Sequence, residues 1–461
     1  MNKLSRVLIA NRGEIAIRII KACKRLGIES VAAVSEADKE SLPARMADRA
    51  VCIGPPRPLE SYLKIDTLVT ACRGAGADAI HPGYGFLAEQ PALVEACEKC
   101  DIRFIGPTAD NIQAMGNKLW ARKTVDNCGV PTIPGSEKVK DVKAAITGAE
   151  KIGYPLLLKA AAGGGGRGMQ VVDTPERLKR VFDTLSTEVQ AAFGDGSLYM
   201  EHFIPNARHI EIQILGDLFG NVLYLGERDC SVQRRYQKMI EEAPSPVVSD
   251  ELRVALCEAA VTIARSIKYR SAGTVEFILN QDTGQFYFLE MNTRIQVEHP
   301  VTEEITGVDL VQEQIRIADD QPIQYAQEDI QINGHAMECR INAESPSSGF
   351  APSPGRIERW EPPQDNGIRL DTHCYTGYVI PPFYDSLIAK LIITGANRKQ
   401  AIERMRTALD QFLISGVDTN IAFHQMLLKH PDFEKGKINT RWLEDTVLPN
   451  IRRMQGKKST S

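Results

Sequence analysis

Glu276 and Glu290 are the residues whose spacing first implies chemistry. Strand-like stretches over 274–280 and 285–291 flank Asp282-Thr283-Gly284, which reads as a three-residue hairpin loop with glycine at the left-handed position. That register places Gln281 opposite Gln285, and therefore Glu276 directly opposite Glu290, with Cβ atoms about 5 Å apart on one face. Facing carboxylates repel, so the pairing is costly unless a proton or cation lies between them. Asn292 follows on the same face, and an oxygen-only set of this kind suits Mg²⁺ or Mn²⁺ held together with substrate phosphates. An exposed edge with two unrelated glutamates is the alternative. Further along, Glu290, Asn292, Arg294, Gln296 and Glu298 alternate with Met291, Thr293, Ile295 and Val297, which reads as one strand with a polar face. A solvated sheet would alternate in the same way. An arginine for an oxyanion and a glutamate for a base, beside a metal pair, favour a site.

A second candidate is Ala162-Gly163-Gly164-Gly165-Gly166-Arg167-Gly168. It matches GxGxxG formally, but 169–173 reads as a strand and not a helix, so a dinucleotide fingerprint is rejected. No GxxxxGK[ST] motif occurs. Glycines between two strands still make a mobile hairpin tip whose N–H groups can fold over anionic oxygens, and Lys159 on the entering strand adds a cation. A plain flexible turn is the competing reading. A third patch, Gln233-Arg234-Arg235-Tyr236-Gln237-Lys238 followed by Glu241-Glu242, is dense in charge and by itself would pass for a surface strand.

The elements that must position these residues fall into three parts. Up to about 114, strands near 7–10, 30–34, 51–53, 79–80 and 104–105 alternate with helices, the rhythm of a doubly wound parallel sheet. Its strand ends carry Asn11-Arg12-Gly13-Glu14 and His81-Pro82-Gly83-Tyr84-Gly85-Phe86, which are either site walls or turns that need glycine. From 115 to 335 the pattern is mixed; 336–445 is β-rich with two helices, and 446–461 reads as a polar tail. The fold class is thus α/β and α+β. The 461 residues suit two to four domains, and a net charge of −4, from 55 Lys+Arg against 59 Asp+Glu, gives no field for nucleic acid. No apolar run is long enough to span a membrane. Ten scattered cysteines read as reduced thiols of a cytoplasmic protein, and the lone Cys97-x-x-Cys100 lacks the second pair that a zinc site needs.

At this point the motifs resemble a family. Residues 9–16 (IANRGEIA), 81–89, Lys159 with its glycines, Glu227-Arg228-Asp229-Cys230-Ser231 and 290–300 (EMNTRIQVEHP) are together similar to biotin carboxylase, an ATP-grasp enzyme. The resemblance runs from about 4 to 445. It implies domains at 1–114, 115–335 (with a lid over about 133–204) and 336–445, and a reaction in which ATP phosphorylates bicarbonate to carboxyphosphate, whose CO₂ passes to biotin. By resemblance, ATP would meet Lys118, Lys159, Gly165, Gly166, Glu201, the Phe203-Ile204 backbone, His209, Gln233 and Lys238. The ligands of Mg²⁺ or Mn²⁺, two ions in the family, would be Glu276, Glu290 and Asn292. Bicarbonate would be held by Lys238, Arg294, Gln296 and Val297, with Glu298 as general base, and Arg340 and Tyr84 would hold the biotin ureido oxygen.

Two segments depart from the family pattern, Tyr236 and residues 345–351. No Met-Lys-Met biotinylation motif is present, so the resemblance implies a stand-alone subunit, as in an acetyl-CoA carboxylase or a two-subunit pyruvate carboxylase. Its partners would be a biotin carboxyl carrier protein or a biotinylated carboxyltransferase subunit, together with a second copy in a homodimer. The competing functions are another ATP-grasp ligase, which has no reason to keep Arg340, Tyr84 and the whole of 290–300, and an inactive nucleotide-binding module, which would have lost one of Glu276, Glu290, Arg294, Glu298 or Lys238.

Overall fold

Short apolar strands alternating with helices build the first hundred residues of the structure, a computed structural model that describes residues 3–161 and 168–451. β1 (Arg6–Ile9), β2 (Glu29–Val34), β3 (Arg49–Cys52), β4 (Ala79–His81) and β5 (Arg103–Phe104) form an all-parallel sheet in the order β3-β2-β1-β4-β5. Strand order reverses between β1 and β4, so the crevice outside their carboxyl ends is the place where such sheets take ligands. Asn11, just past β1, donates from Nδ2 to the carbonyls of Pro82 and Tyr84, both at 2.7 Å. Gly83 sits at φ +62° with that same Nδ2 3.0 Å from where a Cβ would be, so the turn requires glycine there. The glycine serves the turn, and the turn presents Tyr84.

A three-stranded antiparallel sheet, β7-β6-β8, is built from β6 (Leu156–Ala160), β7 (Met169–Val172) and β8 (Leu198–His202). It has its own core, in which Leu156, Leu158, Val172 and Met200 pack against Leu178, Phe182 and Leu185 of the helix Pro175–Phe193. The glycine-rich segment connects the antiparallel pair β6 and β7. Gly165 and Gly166 lie outside the described residues.

The largest sheet has eight strands. β9 (Ala207–Gly216), β10 (Val222–Arg234), β11 (Gln237–Ala243), β12 (Ser271–Asn280), β13 (Phe286–Asn292) and β14 (His335–Asn342) lie in the order β13-β12-β9-β10-β11-β14, followed by Leu387–Gly395 and Ile368–Thr372. β11 and β14 pair directly, Glu241 against Glu338, so one ladder runs across the composition change at 335. Period-two alternation sorts its faces. Ile210, Ile212 and Ile214 of β9 and Val275, Phe277 and Leu279 of β12 bury against Leu256, Ala260 and Ile263 of the helix Asp250–Ser266, leaving His209, Glu211, Gln213, Thr274 and Glu276 for the other side.

Two expectations change in detail. Glu276 does face Glu290, but Asn280 rather than Gln281 closes the hairpin, its N–H donating to the Gln285 carbonyl, and Gly284 (φ 72°) ends a four-residue loop. A register shift between Glu276 and Phe277, with Leu289 as the extra residue, restores the pairing. Such a bulge re-aims side chains, and Leu289 and Glu290 consequently line the same cavity. The polar run is also not one strand: β13 ends at Asn292, residues 293–298 are irregular, and the helix His299–Thr306 begins with Glu298 at its N-cap. The physical reason is Ile295, fully buried in the core that contains Val7, Ile9 and Ile15, which draws the chain out of the sheet. Among the described residues no helix is long and apolar enough to cross a membrane.

Candidate functional site

The polar face of the long sheet, the underside of the three-stranded sheet and the Tyr84 loop enclose a cavity of about 560 Å³. Apart from Gly165 and Gly166, every residue assigned above to nucleotide, metal, bicarbonate or biotin lines it: Tyr84, Lys118, Lys159, Glu201, Phe203, Ile204, His209, Gln233, Lys238, Glu276, Glu290, Asn292, Arg294, Gln296, Val297, Glu298 and Arg340. Tyr236 lines it too, from a two-residue turn between β10 and β11 in which Arg235 and Tyr236 both take positive φ (48° and 64°). By contrast Arg12 is engaged by Asp38, with two contacts of 2.9 Å. Cys97 is buried in the core of the parallel sheet, and all ten cysteines are free thiols.

Lys238 is the electrostatic centre. Its Nζ donates to Glu211 (2.5 Å), Glu276 (2.9 Å) and Glu298 (2.7 Å), three carboxylates that are almost wholly buried. Burial opposes the charge on Glu298, but Lys238 and Arg340 outweigh it and hold its pKa at about 2. Arg340 bridges Glu241 (2.6 Å) and Glu298 (2.9 Å). Glu276 accepts at Oε1 from Asn292 and Gln296 as well, each at 2.8 Å, and is held well below the usual carboxylate range because Lys238 and His209 overcome its burial. Glu290 moves the other way: burial first, and the charge of Glu276 second, push it up. Their opposite shifts express the repulsion inferred from the hairpin.

The remaining cations are arranged around this core. Lys159 Nζ donates to Glu201 Oε2 at 2.7 Å, and Phe203 N–H donates to the Pro155 carbonyl at 2.9 Å. His209 Nε2 lies 3.1 Å from Glu276 Oε2 while Gln233 Nε2 lies 2.9 Å from its Nδ1. Burial lowers the basicity of His209, yet Glu276 reverses this and raises its pKa to about 9. Arg294 is pinned by Glu89 from the parallel-sheet region, its Nε donating there at 2.9 Å, while its Nη2 donates to Asn292 Oδ1 at 3.0 Å.

Family models match most of the chain: the biotin carboxylase N-terminal domain at 3–112, the carbamoyl-phosphate synthase L chain ATP-binding domain at 117–326, and the biotin carboxylase C-terminal domain at 338–445. Biotin carboxylase 1 of Bacillus subtilis is 51% identical over 442 residues, covering 96% of this chain and 98% of that one. The chain belongs to the biotin carboxylases. The biotin carboxylase of Haemophilus influenzae is 50% identical over 449 residues, covering 97% of this chain and 100% of its own. Among solved structures, the biotin carboxylase domain dimer of Hydrogenobacter thermophilus 2-oxoglutarate carboxylase, in complex with MgADP, ADP and bicarbonate, is 50% identical with a TM-score of 0.93, covering 96% of this chain and 98% of that one. The Campylobacter jejuni biotin carboxylase, solved with a β,γ-ATP ligand, has the same TM-score at 46% identity and covers 96% of this chain and 99% of that one.

Sequence reasoning missed the residues of this biotin carboxylase that sit one step behind the cavity wall. Glu211 holds Lys238 and has no solvent contact; its signal was the alternation His209-Ile210-Glu211-Ile212-Gln213-Ile214, which marks a strand apolar on one side only. Arg228, fully buried, donates to Glu211, Gln213, Thr302, Thr274 and Gln296, so all five guanidinium N–H groups are used. Glu338, opposite Glu241, has no hydrogen-bond partner on either oxygen among the described residues, and burial pushes its pKa well up. Nothing in one sequence marks Glu338.

Proposed function

We propose that this chain carries out the first half-reaction of a biotin-dependent carboxylase: ATP and bicarbonate are used to carboxylate biotin carried on a separate protein, giving ADP, phosphate and carboxybiotin. The observation that carries the reading is Glu298 lying between Lys238 and Arg340, a carboxylate base between one cation suited to bicarbonate and phosphate and another suited to the ureido oxygen of biotin.

Bicarbonate is a weak nucleophile, so removing its proton as the γ-phosphoryl group transfers is work for a carboxylate within reach. With Lys238 and Arg340 both turned toward it, Glu298 is a poor base, with a pKa of about 2. When substrate anions draw those two cations away, the buried carboxylate loses its stabilisation and becomes basic, so proton removal is coupled to substrate arrival. Lys159 and Lys238 supply positive charge to the transferring phosphoryl group, and Arg294, Gln296 and the Val297 backbone orient bicarbonate beside Glu298. Arg340 stabilises the oxygen charge that develops on biotin when N1′ loses its proton, with Tyr84 beside it on the cavity wall. Glu276, Glu290 and the Asn292 amide provide the oxygen donors that a hard divalent ion requires, and the raised pKa of Glu290 marks the repulsion such an ion relieves. Bound there with ATP, Mg²⁺ or Mn²⁺ would neutralise phosphate charge. Glu201 with Phe203 and Ile204 forms the adenine edge. The chain works within a larger carboxylase complex, with a biotinylated carrier as its substrate-bearing partner and a second copy of itself in a homodimer. A plain ATP-grasp ligase leaves the Arg340–Glu298 contact without a purpose.

The test is ATP cleavage by the purified chain with Mg²⁺ and free biotin. Cleavage should depend on bicarbonate and be accompanied by carboxybiotin formation; a rate indifferent to bicarbonate overturns the reading.

A further inference from the structure

Behind the peptide that carries Val297 and Glu298 lies a lysine with no solvent contact. Lys390 sits in the strand Leu387–Gly395, paired with Arg340 of β14. Its Nζ donates to the Val297 carbonyl at 2.9 Å, meets Glu14 Oε1 at 3.1 Å and lies 3.8 Å from Asp371. Glu14, in the first turn of the helix Gly13–Leu26, accepts in turn from the Tyr84 hydroxyl. One ammonium therefore joins a helix of the parallel sheet, the loop after β13 and the C-terminal strand.

As an adhesive between three segments this is a costly arrangement. Apolar residues of the same volume commonly hold such a junction as well or better, because buried ions lose their hydration. The pairing is not even complete, since among the described residues Glu14 Oε2 has no hydrogen-bond partner. What ions provide and methyl groups do not is direction. Among the described residues, the peptide oxygen that Lys390 meets belongs to Val297, between the Gln296 and Glu298 side chains that line the cavity, and the hydroxyl on the far side of Glu14 is that of Tyr84, which also lines it.

We propose that Lys390 is a positioning residue that aligns two parts of the site at once, the 296–298 peptide through the Val297 carbonyl and Tyr84 through Glu14. The proposal rests on the reading of these parts as bicarbonate and biotin sites. A purely structural lysine would, on removal, cost stability and disturb all substrates alike; an aligning one affects bicarbonate and biotin and spares ATP.

The experiment is steady-state kinetics on the full chain with Mg²⁺, varying ATP, bicarbonate and free biotin in turn. Wild-type enzyme that shows no bicarbonate-dependent ATP cleavage fails the functional reading itself, before any variant is made. In Lys390→Met, KM for bicarbonate and for biotin should each rise about tenfold, with KM for ATP within about twofold of wild type. Glu14→Gln keeps a hydrogen-bonding group at Tyr84 but removes the charge that meets Lys390; it should raise KM for biotin about threefold and leave bicarbonate and ATP within about twofold. Should Lys390→Met not fold, Glu14→Gln decides alone. The proposal is overturned by a folded Lys390→Met enzyme with unchanged bicarbonate and biotin constants, by Glu14→Gln with an unchanged biotin constant, or by a parallel rise for ATP in either variant.

Discussion

At one end of the cavity Glu276, Glu290 and Asn292 stand on a single hairpin, whereas at the other Tyr84, Glu14, Arg340 and Lys390 are gathered from four separate stretches of chain. The end proposed to hold metal is set by local register: once the hairpin closes and the bulge forms, its carboxylates face each other. The end proposed to hold biotin exists only after the parallel sheet, the loop after β13 and the C-terminal strands have packed together. Local geometry makes for separable contributions, while a junction of distant segments makes for coupled ones.

Glu298 lies where the two ends meet, and its loss should have the largest effect. Glu298→Gln is expected to bind ATP normally by calorimetry and to lose about 10²–10⁴-fold in bicarbonate-dependent turnover; a rate near wild type removes the base role. Arg228 lies beneath the metal end but touches Gln296 as well, so Arg228→Met should break the distinction by damaging both ends. It leaves buried partners unpaired, and a loss of about 3–5 kcal/mol is expected in urea denaturation. Glu276→Gln with Glu290→Gln should weaken Mg²⁺-dependent nucleotide affinity by at least about tenfold while leaving metal-free nucleotide binding intact. Titration with and without Mg²⁺ checks this, and an equal loss in both would make the pair structural.

pH sharpens the contrast. The pKa of His209 is raised in the fold from its ordinary 6.5 to about 9, so its stabilising contribution is complete below pH 6.5 and is lost as pH rises through 9. Wild-type enzyme should therefore lose more stability between pH 6.5 and 9 than His209→Gln does, measured by urea midpoints. An identical slope would mean that Glu276 does not hold a proton on the imidazole. The smallest effect belongs to Glu338→Gln. Burial disfavours the charge on Glu338, so a neutral group of the same size should suit its place, and stability should change by less than about 1 kcal/mol; a large loss would show that Glu338 is ionised and paired.

The same contrast explains what could be read from the sequence. The doubly wound sheet followed from the alternation of short apolar strands with helices. The Glu276–Glu290 pair followed from turn chemistry, although two departures, a longer loop and a bulge, had to cancel for the register to survive. The run from Glu290 to Glu298 kept its residues in the cavity but lost its strand, because Ile295 finds a better place in the neighbouring core than on the sheet. Periodicity describes one element at a time and is blind to that competition. Lys390 left a single trace, a charge inside the apolar run Leu387-Ile388-Ala389-Lys390-Leu391-Ile392-Ile393, which signals a buried partner without saying which.

The ladder between β11 and β14 has a practical consequence for anyone dividing this chain. Composition invites a cut near residue 335, yet a cut there leaves each fragment with a freshly opened strand edge, the Ile240–Ala243 side on one and the Ala336–Cys339 side on the other. Open edges of apolar strands are templates for misassembly. Chimaeras between relatives should instead carry the region from β9 to Gly395 as one unit, and exchange the three-stranded sheet, which encloses a core of its own, as the interchangeable part.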